Sequence, residues 1–267
     1  MEDAGNGRLA VVTGASSGIG LELAKVFGEN GFELLITAED SELRDVLDEL
    51  KGEGVSVQAH RVNLARPKGV IELYEHIAAM EKPVEAIALN AGVGAGGAFA
   101  TDTELTDELK LIDLNVRSTV HLCKLVLADM LERDQGRILI TSSIASTMPG
   151  SFQAVYNASK SFVQSFALAL RNELKDTGIT VTSLMPGPTD TEFFDRAEME
   201  DTAVGSGPKD DPAEVAREGF EALMAGKERV VAGSLKNKLQ VAAARVLPDR
   251  AAAQMHRRMA EPGSGED

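Results

Sequence analysis

Residues 9–20, LAVVTGASSGIG, carry a short apolar run straight into a turn with glycines at 14, 18 and 20. An apolar run without polar alternation suits a strand buried on both faces, as in parallel sheets covered by helices. Gly14 lets the chain turn tightly out of the strand. Gly18 lets backbone approach a pyrophosphate, and Gly20 lets the next helix pack close to the sheet. The free N–H groups and partial positive charge at the start of that helix favour an anion. The stretch therefore asks for a strand, a glycine turn and a helix at the head of an α/β chain. It offers a dinucleotide site at Gly14, Ser16, Ser17, Gly18, Ile19 and Gly20.

The remainder keeps the alternation. Strand candidates at 9–13, 32–37, 55–59, 85–90, 136–143, 179–185 and 229–233 are separated by helical stretches near 18–30, 41–51, 67–80, 104–132, around 156–160, and 212–225. Each crossover is long enough for right-handed βαβ geometry. The predicted fold is a doubly wound, seven-stranded parallel sheet in three α/β/α layers, with ligands beyond the carboxyl ends of the strands. A chain of 267 residues needs only one such domain, placed at 1–233. The irregular segment 186–211 reads as a lid. Residues 234–267 form a basic helical tail, two short helices broken at Pro248. It reads first as a solvated cap, with covering the pocket or touching an anionic surface as the alternatives.

A net charge of −15 repels phosphate backbones and argues against nucleic acid. No run of about 18 apolar residues predicts a membrane span. The acidic, polar start, MEDAGNGRLA, lacks the apolar core of a secretory signal, so the expected location is cytoplasmic. Cys123 is the sole cysteine, and its apolar helical setting reads as a buried, inert thiol. The histidines at 60, 76, 121 and 256 are scattered in sequence, and no metal site is expected.

The chemistry concentrates in YNASK, residues 156–160. On a helix, Tyr156 and Lys160 lie one turn apart on one face. A phenol titrates near pH 10, and reaching about 7 takes roughly 4 kcal/mol. A nearby cation supplies about 1–3 units of that shift. Such a pair can give and take a proton at a carbonyl oxygen.

With TGASSGIG (13–20), NAG (90–92), TSS (141–143), YNASK and PGPTDT (186–191) in this order, the chain resembles the one-domain branch of the short-chain dehydrogenase/reductase family over residues 8–233. The resemblance implies a Rossmann-type sheet and hydride transfer between a nicotinamide and a carbonyl or alcohol. It implies Tyr156 as acid/base, and Lys160 as the group that lowers the pKa of Tyr156 and bonds the nicotinamide ribose. Ser143 would polarise the substrate oxygen, and Asn115 would hold a relay water. Asn90, Ala91 and Gly92 would flank the adenosine ribose, Asn63 and Leu64 the adenine. Pro186, Gly187, Thr189 and Thr191 would hold the carboxamide. Leu89 stands where the family usually has a second Asn, and Asn63 where it usually has Asp.

The end of the second strand, ITAEDSE (36–42), carries neither usual cofactor signature. Ala38 replaces the Asp that selects NAD, and Glu39 replaces the Arg that selects NADP. An acid about 4 Å from a phosphate charge costs roughly 1 kcal/mol in water and up to about 4 kcal/mol at an effective dielectric near 20. With Glu39 and Asp40 together, NAD(H) is favoured, while NADP(H) stays open. Segments 93–99 and 148–152 and the lid residues Phe193 and Phe194 supply mostly small, apolar pocket walls. The expected substrate is a neutral, fairly hydrophobic ketone, aldehyde or secondary alcohol. By resemblance, helices near 104–132 and 152–175 pair copies into a homodimer or homotetramer. Phe162, Phe166 and Leu170 recur along the second of these, facing either a partner or the sheet. The rival readings are an epimerase or dehydratase, for which the chain leaves too little C-terminal room, and a non-catalytic dinucleotide-binding sensor. Such sensors typically lose the Tyr or the Lys, and both remain here.

Overall fold

Successive residues of a strand point to opposite faces, and in β1 (Leu9–Thr13) both faces are filled. Leu9 and Val11 enter one core, and Ala10 and Val12 enter the other. The computed structural model describes residues 7–244 and 247–265. Segment 1–6, the two residues 245 and 246 inside the tail, and the last two residues lie outside that description.

The strands are β1, β2 (Glu33–Ala38), β3 (Val57–Arg61), β4 (Val84–Leu89), β5 (Gly136–Thr141), β6 (Ile179–Met185) and β7 (Arg229–Val231). They form one sheet in the order β3-β2-β1-β4-β5-β6-β7, every pair parallel. Helices α1 (Gly18–Glu29), α2 (Leu43–Gly52) and α9 (Pro212–Met224) cover one face. They bury Leu23, Phe27, Val46, Leu50, Val215 and Phe220 against the sheet. Helices α3 (Pro67–Ala79), α5 (Thr119–Arg133) and α6 (Ala154–Glu173) cover the other, burying Leu73, Ile77, Leu122, Val126, Val163 and Ala167. The result is the predicted three-layer, Rossmann-type architecture. Strand order reverses between β1 and β4, which opens a crevice at their carboxyl ends.

Two elements differ from the sequence expectation. The stretch 104–132 is not one regular helix. It runs as α4 (Leu105–Ile112), a wide π-helical turn over Asp113–Ser118, and then α5. The Thr119 hydroxyl donates to the carbonyl of Asn115 at 2.9 Å, a back-bond that loosens the regular ladder. π-turns of this kind gather at functional sites, and this one contains Asn115. The aromatic stripe on α6 also divides. Leu170 enters the core, whereas Phe162 is 47% exposed and stacks on Phe166 with 6.4 Å between centroids.

Beyond β6 the chain forms short helices α7 (Phe193–Arg196) and α8 (Ala203–Ser206) within 186–211. The tail holds α10 (Leu235–Ala244) and α11 (Asp249–Ala260), with Pro248 directly before α11. Pro at such a point starts a helix more readily than it continues one. No helix among the described residues is long and apolar enough to cross a membrane.

Candidate active site

The glycine turn is pinned from below. Gly14 and Ala15 donate their N–H groups to Thr37 O at 2.8 and 3.1 Å, which ties the turn to the end of β2. Gly14 has φ +67°, a conformation that disfavours a side chain. A Cβ on Gly20 would overlap the carbonyl of Gly14 and approach the Asn90 amide nitrogen, so the close packing read from sequence is present. Ser17 stands at the N-cap of α1 without a side-chain cap bond, leaving the first N–H groups of that helix available to an anion.

Asn90 joins three strand ends. Its amide donates to Thr13 O at 3.2 Å, and its oxygen accepts from the Thr141 hydroxyl at 3.0 Å. Helix α6 is fixed to β5 by two opposed bonds. Ser142 Oγ donates to Lys160 O at 3.1 Å, and Lys160 Nζ donates to Thr141 O at 3.0 Å. These bonds set Tyr156 and Lys160 over the sheet edge beside Ser143. Ser143 follows β5 and begins a short 3-10 turn, its oxygen accepting from Ala145 N–H at 3.1 Å. The Lys160 ammonium lies 5.8 Å from the centre of the Tyr156 ring.

Burial dominates the electrostatics of this pair. It pushes the Tyr156 phenol up to about 12, against a downward pull from its hydrogen bond with Ser143. It also lowers Lys160 to about 8. In the protein alone the phenol is therefore firmly protonated. Burial is the largest influence on both groups, raising the phenol and lowering the ammonium.

Asn115 is committed to protein groups. Its oxygen accepts Val93 N–H at 2.9 Å, and its amide donates to Val93 O at 2.9 Å and to Ser159 Oγ at 3.1 Å. Ser159 Oγ in turn donates to Tyr156 O at 2.7 Å. The π-turn thus braces the loop after β4 and the catalytic-helix candidate together. A Cβ on Gly92 would come within 3.0 Å of Asn115 Oδ1 and 3.3 Å of Lys160 Nζ, so Gly92 is where backbone passes these two side chains.

One cavity of about 680 Å³ unites most of these residues. It is lined by Gly14, Ser16, Ser17, Gly18, Ile19, Gly20, Glu39, Leu64, Asn90, Ala91, Gly92, Ser143, Tyr156, Lys160, Pro186, Gly187, Thr189 and Thr191. Asn63 and Asn115 are not on its wall. Asn63 instead turns its side-chain oxygen to Ala65 N–H at 2.9 Å, the local bond that Asn favours in turns.

Several wall residues were invisible to sequence reasoning. Gln153, Arg196, Lys209, Lys236, His256 and Met259 all line the cavity. The tail therefore borders the pocket, and its first reading as a solvated cap is corrected. Of segments 93–99 and 148–152, only Val93, Gly94 and Met148 reach the wall. Phe193 of α7 packs on Tyr156 with 5.2 Å between ring centres. The acids at the end of β2 have partners from distant segments: Glu39 pairs with Lys110 at 3.0 Å, and Asp40 accepts from Ser16 at 3.0 Å and faces Arg196 at 3.7 Å. Only the fold brings these cations to the acids, so no spacing signal could have found them. His60 and His76, far apart in sequence, stack at 4.4 Å. Among the described residues there is no cluster of three or more metal-ligating side chains.

A parallel sheet in this strand order, with its cavity at the β1/β4 crevice, defines a Rossmann-type protein of the doubly wound class. The chain belongs to the short-chain dehydrogenase/reductase family of oxidoreductases: the family's sequence pattern, described as short chain dehydrogenase, matches residues 8–201. It is 31% identical over 186 residues to sulfoacetaldehyde reductase 2 of Chromohalobacter salexigens, spanning 69% of this chain and 74% of that one. A short-chain dehydrogenase from Sphingobium yanoikuyae, solved in complex with NADPH, superposes with a TM-score of 0.78 at 26% identity, covering 84% of this chain and 87% of that one. A family member from Burkholderia phymatum, solved in complex with NAD, shares the fold with a TM-score of 0.81 at 23% identity, over 97% of this chain and 99% of that one.

Proposed function

We propose that the protein transfers a hydride between a nicotinamide cofactor and a neutral, fairly hydrophobic ketone, aldehyde or secondary alcohol. The observation that carries this reading is the meeting of Ser143, Tyr156 and Lys160 in the same cavity as the glycine turn. The residues present suit a dinucleotide: a helix N-terminus with open N–H groups, a glycine turn, and a continuous cleft from Glu39 to Tyr156. When bound, the nicotinamide supplies or accepts the hydride.

The protein's own part is proton handling and orientation. Ser143 and Tyr156 bracket the substrate oxygen. Tyr156 gives its proton to that oxygen in reduction and receives it in oxidation. Its phenol, held up near 12 in the protein alone, suits the donor role. Lys160 bonds the nicotinamide ribose and, as the cleft fills, favours the phenolate by its charge. Asn115 is a positioning residue in this reading, since its side chain is spent on Val93 and Ser159. Gly14, Ser16, Ser17, Gly18, Ile19 and Gly20 hold the pyrophosphate end. Leu64, Asn90, Ala91 and Gly92 hold the adenosine. Pro186, Gly187, Thr189 and Thr191 hold the carboxamide. Asn63 shapes the adenine wall from behind.

NAD(H) is the preferred cofactor in this reading, because Glu39 and Asp40 border the cleft. The preference is modest, because Lys110 and Arg196 partly neutralise both acids, and exposed pairs of this kind are weak. Relatives of the fold have been solved with either cofactor. Exposed Leu105, Leu109 and Ile112 on α4, with Phe162 on α6, support a homo-oligomer joined through these helices. The location fitting this chemistry and the buried free thiol of Cys123 is the cytoplasm. The test is direct: purified protein, NADH or NADPH, and a panel of neutral and acidic carbonyl compounds. Loss of reduced-nicotinamide absorbance with neutral ketones or aldehydes is the expected result. Turnover confined to acidic substrates would overturn the substrate class.

A further inference from the structure

Two polar side chains on the cavity wall have no role in the chemistry above. Gln153 stands at the N-cap of α6, three residues before Tyr156. His256 lies on α11 of the tail. Both line the cavity and both are almost fully buried, 6% and 5% exposed. Burying polar groups this deeply is costly unless their hydrogen-bonding capacity is used.

Each has one partner and one free end. His256 Nδ1 lies 2.9 Å from Ser151 O. A backbone carbonyl only accepts, so Nδ1 carries the proton and Nε2 keeps a lone pair. Burial disfavours a second proton on the ring. The Gln153 amide nitrogen points to Met199 Sδ at 2.9 Å, a weak acceptor, which leaves the amide oxygen over. Among the described residues neither His256 Nε2 nor Gln153 Oε1 has a hydrogen-bond partner.

The surroundings hold these groups in place. Ser151 Oγ donates to Ala253 O at 3.2 Å, and the Arg257 guanidinium sits over the Phe152 ring at 5.1 Å. Phe152 itself is held at φ +64°, a backbone region that bulky residues avoid. Helix α11 thus clasps the loop that leads into the Tyr156 helix. Met148, Phe193 and Met259 add apolar side chains to the same wall.

We propose that Gln153 and His256 each offer an acceptor to a hydroxyl group of the substrate, set apart from the reacting carbonyl. The proposal rests on the carbonyl-reductase reading of the cavity. It narrows the substrate to a neutral, mostly apolar ketone or alcohol that carries a second hydroxyl. A wall of acceptors in apolar surroundings selects against the analogue lacking that donor, because the buried acceptors then stay unpaired.

The test uses neutral aryl and alkyl ketones that carry a hydroxyl several bonds from the carbonyl, each paired with its deoxy counterpart. Binding to the protein–NADH and protein–NADPH complexes is titrated for wild type, His256→Phe and Gln153→Met, with melting temperature as the check on folding. Wild type is expected to bind the better hydroxylated ketones about three- to tenfold more tightly than their deoxy partners. Either variant that folds should lose that preference while binding the deoxy ketone as before. Absence of a preference in every wild-type pair overturns the proposal, as does a preference that survives in the variants. Turnover is read in the same samples. Discrimination in binding without turnover would keep the two acceptors and sink the hydride-transfer reading, and turnover without discrimination would do the reverse.

Discussion

The two ends of the cavity are built differently. At the glycine-turn end, backbone dominates: Gly20 packs against Gly14 O and Gly14 and Ala15 donate to Thr37 O, with the Asn90 side-chain amide on Thr13 O beside them. At the Tyr156 end, every contact involves a side chain from a separate segment: Phe193 on Tyr156, Gln153 on Met199, and His256 of the tail on the Ser151 backbone carbonyl. Backbone contacts admit few residue types, whereas side-chain contacts can be repacked. One end is therefore fixed by local chain geometry, and the other is free to set which substrate enters.

Glycine substitutions expose that contrast most strongly. Gly20→Ala drives a methyl group into the Gly14 carbonyl and toward the Asn90 amide, neither of which can move aside. Cofactor affinity should fall at least about a hundredfold, or the fold should fail, at a cost of roughly 3 kcal/mol or more. Cofactor titration with a thermal melt checks this, and near-normal binding would mean the turn is looser than described.

Lys160→Met comes next, and its two effects have opposite sign. Turnover should fall roughly a hundredfold or more, while the protein alone gains stability near pH 7. Lys160 is lowered from its ordinary 10.5 to about 8 by burial. Burying its charge thus costs stability below about pH 8, a cost that fades as the pH rises toward 10.5. The gain from Met should be about 1–3 kcal/mol at pH 7 and shrink steadily between pH 8 and 10.5. Denaturant unfolding across that range measures it, and a gap that does not change with pH would contradict the assignment.

Gly94→Ala is the counterpart at the substrate end. Its added methyl meets the tip of the Phe193 ring, a side chain that must swing about its Cα–Cβ bond to make room. The expected result is a three- to tenfold rise in KM for the carbonyl substrate, with cofactor affinity unchanged. A matching loss of cofactor affinity would erase the distinction between the two ends. The smallest effect belongs to Arg196→Ala. Freeing Asp40 from its half-exposed partner should weaken NADPH severalfold and leave NADH as it was. Parallel titrations at one ionic strength decide it, and tighter NADPH binding would mean that Arg196 obstructs the 2′ position.

The same contrast explains what the sequence disclosed. The strand LAVVT is apolar on both faces, and the structure fills both faces. The glycine turn, Ser143, Tyr156 and Lys160 were legible because each sits at a fixed offset from a strand end or along one helix face. Arg196, Gln153 and His256 were not, because they reach the wall from α7, a helix cap and the tail through contacts that no spacing encodes. The missed π-turn at Asp113–Ser118 has the same origin: helical periodicity continues through it, and only the tertiary bonds of Asn115 reveal it. The Asx-type bond from Ala65 N–H to the Asn63 side chain is likewise a contact that the motif spacing does not show.

The most direct test of the central claim is Tyr156→Phe, assayed for cofactor binding and for turnover in one preparation. Removing one hydroxyl from a buried ring should leave cofactor affinity within about twofold and cut turnover roughly a thousandfold. Turnover within tenfold of wild type, with binding intact, would contradict the assignment of Tyr156 as the proton donor.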